Sequence, residues 1–211
     1  MIKFTVILLY LFSIFLISIV FKKFNENNSE IVRKIIHIGI GPLIPIAQLL
    51  KIDKSSALIF TGVVSLIVLI NYTYKLFPTI EDVERKSYGT IFYCLSLFML
   101  IWLFWDKDPY ALIAGFFVMT FGDGLAGLIG KSFNSKNWII FKQKKSLFGT
   151  LTMFLTSLIV VCSIGYAQQK NVNLNYFAIA FLATVIEQFN VLGIDNFIVP
   201  ISSALCLNFF T

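Results

Sequence analysis

The sequence predicts an all-α fold, a polytopic transmembrane helix bundle of seven or eight helices, and three observations carry that prediction. Of the 211 residues, 58% are apolar and only 13% charged, far from the balance of a water-soluble domain. Aromatic residues make up 16%, with 23 Phe, which adds large apolar area without the polar groups that keep a surface soluble. Apolar runs of roughly the ~20 residues needed to cross a hydrocarbon core recur along the chain.

The first run, Phe4 to Phe21, has Lys3 before it and Phe-Lys-Lys-Phe after it, with no small-residue cleavage site. It reads as a retained anchor rather than a signal peptide. Further helices are expected at Ile35 to Leu50, Ala57 to Tyr74, Ile91 to Trp105, Tyr110 to Ile129, Leu147 to Ala167, Leu174 to Ile186 and Phe197 to Phe210, the last two being short. No fixed-period repeat or low-complexity linker interrupts them, so residues 1–211 read as a single integral membrane domain.

The net charge is +6, but the 17 Lys and Arg lie in short clusters between apolar runs. That pattern argues against nucleic acid and for an anionic headgroup or a nucleotide. Alternate loops are unequal. One set carries Lys22, Lys23, Arg33, Lys34, Lys75, Arg85, Lys86, Lys131, Lys136, Lys142, Lys144 and Lys145; the other has Lys3, Lys51, Lys54, Lys107 and Lys170. Basic residues near helix ends are retained in the cytoplasm, so the first set is expected to face it, across the inner membrane if the cell is bacterial. Cys94, Cys162 and Cys206 each sit in an apolar run and read as packing residues, not as a disulfide or metal framework.

Four polar clusters fall on that same expected side, as an enzyme joining a water-soluble nucleotide to a lipid requires. In the first, Arg33, Lys34 and the single His, His37, share a helix face by their three- and four-residue spacing, and such a face could hold phosphate oxygens. Arg33 and Lys34 equally serve as basic flanks, whereas an ionisable His37 inside an apolar run needs a partner. In the second, Glu81 to Tyr93, Ser87, Gly89 and Thr90 suit a helix start, by ordinary capping or near an anion.

The third cluster runs from Gly122 to Thr150. Asp123 lies between Gly122 and Gly124 at the end of an apolar stretch, where a carboxylate is costly without a cation. Gly127 and Gly130 permit close backbone approach, to a helix or to a phosphate. Gly-Lys-Ser at Gly130 to Ser132 is not a Walker A loop, because Leu125 stands where that loop needs glycine and no strand precedes it. Asp123 is then a candidate Mg²⁺ ligand, with Lys131, Lys142, Lys144 and Lys145 available to neutralise a triphosphate. In the fourth cluster Glu187 and Asp195 adjoin apolar segments and could supply a second metal contact or accept a hydroxyl proton.

Taken together these motifs resemble the family of CTP-dependent polyprenol, phytol, dolichol and diacylglycerol kinases. Arg33 to Pro42 is similar to its N-terminal motif, Tyr88 to Tyr93 to its small-residue and Phe-Tyr element, Gly122 to Phe133 with Lys144 to Phe154 to its central pair, and Glu187 through Asp195, Asn196 and Pro200 to its C-terminal pattern. Four motifs in order between apolar helices make a specific signal. The resemblance implies CTP as donor, Mg²⁺, and a membrane alcohol as acceptor. It also implies Asp123, Lys131, Lys145, Ser146, Gly149, Glu187, Asp195 and Asn196 as site residues, with Arg33, Lys34 and His37 beside them. Gly122 and Gly124 join the nucleotide-binding set. Phe148 and Thr150 depart from the polar or small pairing expected there, which bears on fine specificity.

The expected reaction is transfer of the γ-phosphate to the hydroxyl of an isoprenoid alcohol or of diacylglycerol. A cytidylyltransferase of the CDP-diacylglycerol type would also use CTP, but its His-Gly-Gly and paired-aspartate C-terminal motif is absent. A small transporter would place its polar groups near the midplane in both halves.

Overall fold

The helices at Ile2–Phe24, Lys54–Tyr74, Leu147–Ala167 and Leu174–Gln188 carry more apolar surface than their neighbours in the chain cover. The computed structural model describes residues 2–24, 29–74, 88–141 and 143–210. The chain runs α1 (Ile2–Phe24), α2 (Ser29–Gly39), α3 (Leu43–Leu49), α4 (Lys54–Tyr74), α5 (Gly89–Phe104), α6 (Pro109–Phe117), a π-helical turn (Val118–Asp123), α7 (Gly124–Ser132), β1 (Asn137–Ile140), β2 (Gln143–Ser146), α8 (Leu147–Ala167), α9 (Leu174–Gln188) and α10 (Asp195–Phe210). Five stretches, Ile2–Lys23, Ile31–Leu49, Lys54–Tyr74, Pro109–Ser132 and Leu147–Ala167, are long and apolar enough to cross a membrane, and α5, α9 and α10 are shorter apolar helices. The protein is an integral membrane helix bundle.

Each predicted span is present, and two are broken. The second bends after Gly39 and resumes at Leu43, where Pro42 cannot donate to a preceding turn; the Tyr10 hydroxyl donates to the Gly39 carbonyl at 2.7 Å, satisfying a group that lipid would leave unpaired. The fifth contains the π turn. The segment between Ser132 and Leu147, expected as a basic loop, forms an antiparallel hairpin pairing Asn137 with Ser146 and Trp138 with Lys145.

The core lies around α6, where Ala111, Leu112, Ala114 and Phe116 are fully buried among Leu100 of α5, Met153 and Val161 of α8, and Ala204 and Leu207 of α10. Side chains such as Leu9, Phe12, Ile59, Leu66, Ile159 and Phe181 point outward and are exposed, as a lipid-facing belt requires. Contacts knit the two ends of the bundle separately. At one, Lys3 Nζ donates to the Lys51 carbonyl, Lys54 approaches Asp106 at 3.9 Å, and Asn175 Nδ2 donates to the Phe210 carbonyl. At the other, Tyr88 N donates to the Leu192 carbonyl, Trp138 Nε1 to Gln188, and Lys145 to Glu187. The up-and-down order thus gathers the starts of α2, α5, α8 and α10 with the ends of α7 and α9. Of the second cluster, Glu81 to Ser87 lie outside the described residues, as do Lys75 and Lys142.

Candidate active site

Three carboxylates converge at this knitted end. Asp123 closes the π turn, Glu187 sits in the last turn of α9, and Asp195 opens α10; their oxygens lie within 4.8 Å of one another. A π turn inserts an extra residue into a helix and so rotates the side chains after it to a new direction, and here Asp123 is the residue it delivers. Its Oδ2 takes the Lys34 ammonium at 2.6 Å, and Lys34 also donates to the Asp123 carbonyl at 3.0 Å. His37 stands behind it, with Nε2 3.5 Å from the same oxygen and 3.3 Å from the Met119 carbonyl. The imidazole is held against the Tyr93 ring at 4.5 Å, and the Tyr93 hydroxyl donates to the His37 carbonyl at 3.1 Å.

Lys145 pairs with Glu187 Oε1 and donates to the Glu187 carbonyl at 2.7 Å. Gln188 braces that carboxylate from the other side, its amide donating to Glu187 Oε2 at 2.9 Å and to Thr150 Oγ1 at 3.0 Å. Asp195 differs from the other two. Its Oδ2 accepts from Asn190 at 2.7 Å, but its buried Oδ1 has no hydrogen-bond partner among the described residues. Since an orphaned carboxylate oxygen in a buried site is costly, this atom is prepared for a group from outside the chain. Three carboxylates in reach of one another also fit a divalent cation that keeps phosphate oxygens in its shell.

Close helix approach puts the lysines there. A Cβ on Gly127 would come within 2.6 Å of Lys34 Cε, and one on Gly130 within 2.6 Å of Ser146 Oγ, so α2 and α8 reach the site only across bare backbone on α7. Ser146 caps α8, accepting from the Gly149 amide at 3.1 Å. Gly122 faces Met153 and Gly124 faces Ile38 in helix packing, and neither lines a cavity at the site.

Two cavities meet at Asp123. A cleft of about 890 Å³ is walled by Arg33, Lys34, Lys131, Lys144, Lys145, Ser146, Gly149, Thr150 and Glu187. Its basic walls and the positive end of α8 suit a polyphosphate. An apolar cavity of about 490 Å³ is walled by Leu11, Ile14, Ile40, Val64, Val68 and Tyr93, with His37, Asp195 and Asn196 at its polar end. Arg33, Lys34, Asp123, Gln143 and Asn190 border both. Glu187 borders only the first of these cavities and Asp195 only the second. Asn196 Nδ2 donates to the Gly89 carbonyl at 3.0 Å, tying α10 to α5. Asn190, Gln143 and Gln188 were not singled out from sequence. Their one signal was proximity to the motif acids and lysines.

No protein-family model matches the chain, and no solved structure does. Curated relatives do. The chain is 35% identical to phytol kinase of Synechocystis over 200 residues, covering 93% of this chain and 86% of that protein. It is 27% identical to the chloroplastic phytol kinase 1 of Arabidopsis thaliana, covering 87% of this chain and 67% of that protein. To the chloroplastic farnesol kinase of the same plant it is 24% identical, covering 84% of this chain and 64% of that protein.

Proposed function

The chain belongs to the phytol and polyprenol kinase family, and from that premise we propose that it is a lipid-alcohol kinase moving the γ-phosphate of CTP to the hydroxyl of an isoprenoid alcohol. The observation that carries this reading is the junction of a basic polar cleft with an apolar cavity at a cluster of acids. A soluble triphosphate and a membrane alcohol can each occupy its own chamber and react only at Asp123. CTP as the donor is taken from the family resemblance. The basic loops make the cytoplasm the expected side of the cleft.

The acceptor oxygen enters from the apolar side, where the free Oδ1 of Asp195 accepts its proton as the oxygen attacks the γ-phosphorus. The bond from that phosphorus to the bridging oxygen breaks, and CDP leaves through the polar cleft. Asp123 and Glu187 would hold Mg²⁺, which supplies charge neutralisation at the phosphate oxygens. Lys34 and Lys145, resting on those carboxylates, lie where they can transfer their charge to the incoming triphosphate. Asn190 and His37 orient Asp195 and Asp123 respectively. The remaining work is positioning, which in phosphoryl transfer accounts for most of the rate.

The test supplies purified protein in lipid with CTP labelled at either the γ or the α phosphate, together with phytol or farnesol. Label passing from the γ position into the lipid is the expected result. Label passing from the α position would replace the kinase by a cytidylyltransferase, and no transfer from any nucleotide would remove the enzymatic reading.

A further inference from the structure

The apolar cavity is shallower than the molecules it would receive. Its lining runs from Arg33 on α2 to Ile40, one residue past the end of that helix, about 10 Å at the ~1.5 Å rise of a helical residue. On α1 it runs from Phe15 to Leu11 and on α4 from Val68 to Val64, about 6 Å each by the same rise. An extended chain advances roughly 3.3–3.6 Å per three bonds, so an isoprene unit with its four main-chain bonds spans about 4–5 Å. The cavity therefore takes about two units.

Where the rest of the chain goes is set by α1 and α4. These helices wall the cavity with Leu11, Ile14, Val64 and Val68, while their neighbours Phe12, Leu16, Val63 and Ile67 are exposed on the lipid-facing belt. The two helices pack chiefly against others, α1 on α2 and α3, α4 on α5. Far from the site the Phe4 and Phe60 rings of the two helices meet at 6.3 Å, and next to them Lys3 of α1 donates at 2.8 Å to the carbonyl of Lys51 in the turn ahead of α4. Towards the site the cavity lies between them.

Building on the kinase reading, we infer that the seam between α1 and α4 is a lateral mouth, so that the protein grips the hydroxyl and first two isoprene units of the acceptor and leaves the remaining chain in the bilayer. The site selects the head of an isoprenoid alcohol and is indifferent to its length beyond about ten carbons, the two units that the cavity's depth admits.

The test uses Cys94, which lines the cavity, in a variant carrying Cys162→Ser and Cys206→Ser, reconstituted in nanodiscs without nucleotide. N-ethylmaleimide labelling of Cys94 should slow several-fold with geraniol, farnesol or phytol, to a similar degree at equal mole fraction in the bilayer. Protection that keeps growing from ten to twenty carbons overturns the length claim, and no protection by any of them overturns the chamber. Because nothing is phosphorylated, this readout is independent of whether γ-phosphate transfer occurs. Val68→Trp, at the mouth, should raise the KM for farnesol about tenfold and leave the KM for CTP unchanged; an unchanged KM for farnesol in a well-inserted variant would place the mouth elsewhere. If that variant fails to insert, the same comparison is made with Val64→Phe.

Discussion

The two ends of the bundle hold charge in opposite ways. At the end away from the cavities, Lys54 and Asp106 meet at 3.9 Å with side chains 29% and 68% exposed, a surface pair of small net worth. At the other end, Lys34 with Asp123 and Lys145 with Glu187 are sealed by helix packing, their side chains 10–17% exposed. Taking such pairs out of water costs more than their attraction returns unless the geometry is good and the remaining lone pairs are met. A bundle needing only stability would have been better served by apolar residues there. Among the described residues the expense is confined to the end where the cavities meet, which marks that end as the working one.

The comparison breaks first at Asp123. Asp123→Asn should lower γ-phosphate transfer by about 10³-fold or more, the scale set by losing a charge-organising group in phosphoryl transfer, while membrane insertion is retained; near-normal turnover would sink its assignment. Asp195→Asn should cost about 10²–10⁴ in kcat, the range for a general base, with the KM for CTP little changed because Asp195 borders only the apolar cavity of the two. A rise in nucleotide KM without a fall in kcat would exchange its role with that of Glu187.

Lys145→Met strands a buried carboxylate and should destabilise the protein by about 3–5 kcal/mol, read as a lowered unfolding midpoint in detergent, whereas Lys54→Ala should cost less than about 1 kcal/mol. Equal effects would erase the contrast between the two ends. The smallest expected effect is at Asp53, outside the spans, which accepts from the Ser56 amide at 2.8 Å ahead of α4. That hydrogen bond holds its carboxyl below the usual range. A depressed carboxylate adds stability above its unfolded value and loses it as pH falls through the folded one. Asp53→Asn should therefore flatten the stability profile slightly below about pH 4, and an unchanged acid limb would assign no weight to this cap.

Several features could be read from residues alone because they depend on composition and local order. Every predicted apolar span exists, and Lys34, Asp123, Lys145, Glu187 and Asp195 do come together. The hairpin was hidden for a physical reason. Its turn begins at Phe141 with φ of 46°, where glycine or asparagine is the usual signal, and its second strand reads Gln-Lys-Lys-Ser, a run that looks like a charged loop. The π turn leaves no periodic trace either, since a single inserted residue does not change the apolar character of its span.

By itself the sequence determined that the chain is a membrane bundle, that its unusual polar residues belong to one end of it, and which family it resembles. Apolar run length and charge placement are local properties that lipid reads directly. Only the tertiary structure decided how the acids divide. Glu187 and Asp195 are eight positions apart with no helical register joining them, and which faces the basic cleft and which the apolar cavity depends on how α9 and α10 pack beside α2 and α7. The same packing set Gly127 and Gly130, whose bare backbone could have met a helix or a phosphate, against Lys34 and Ser146.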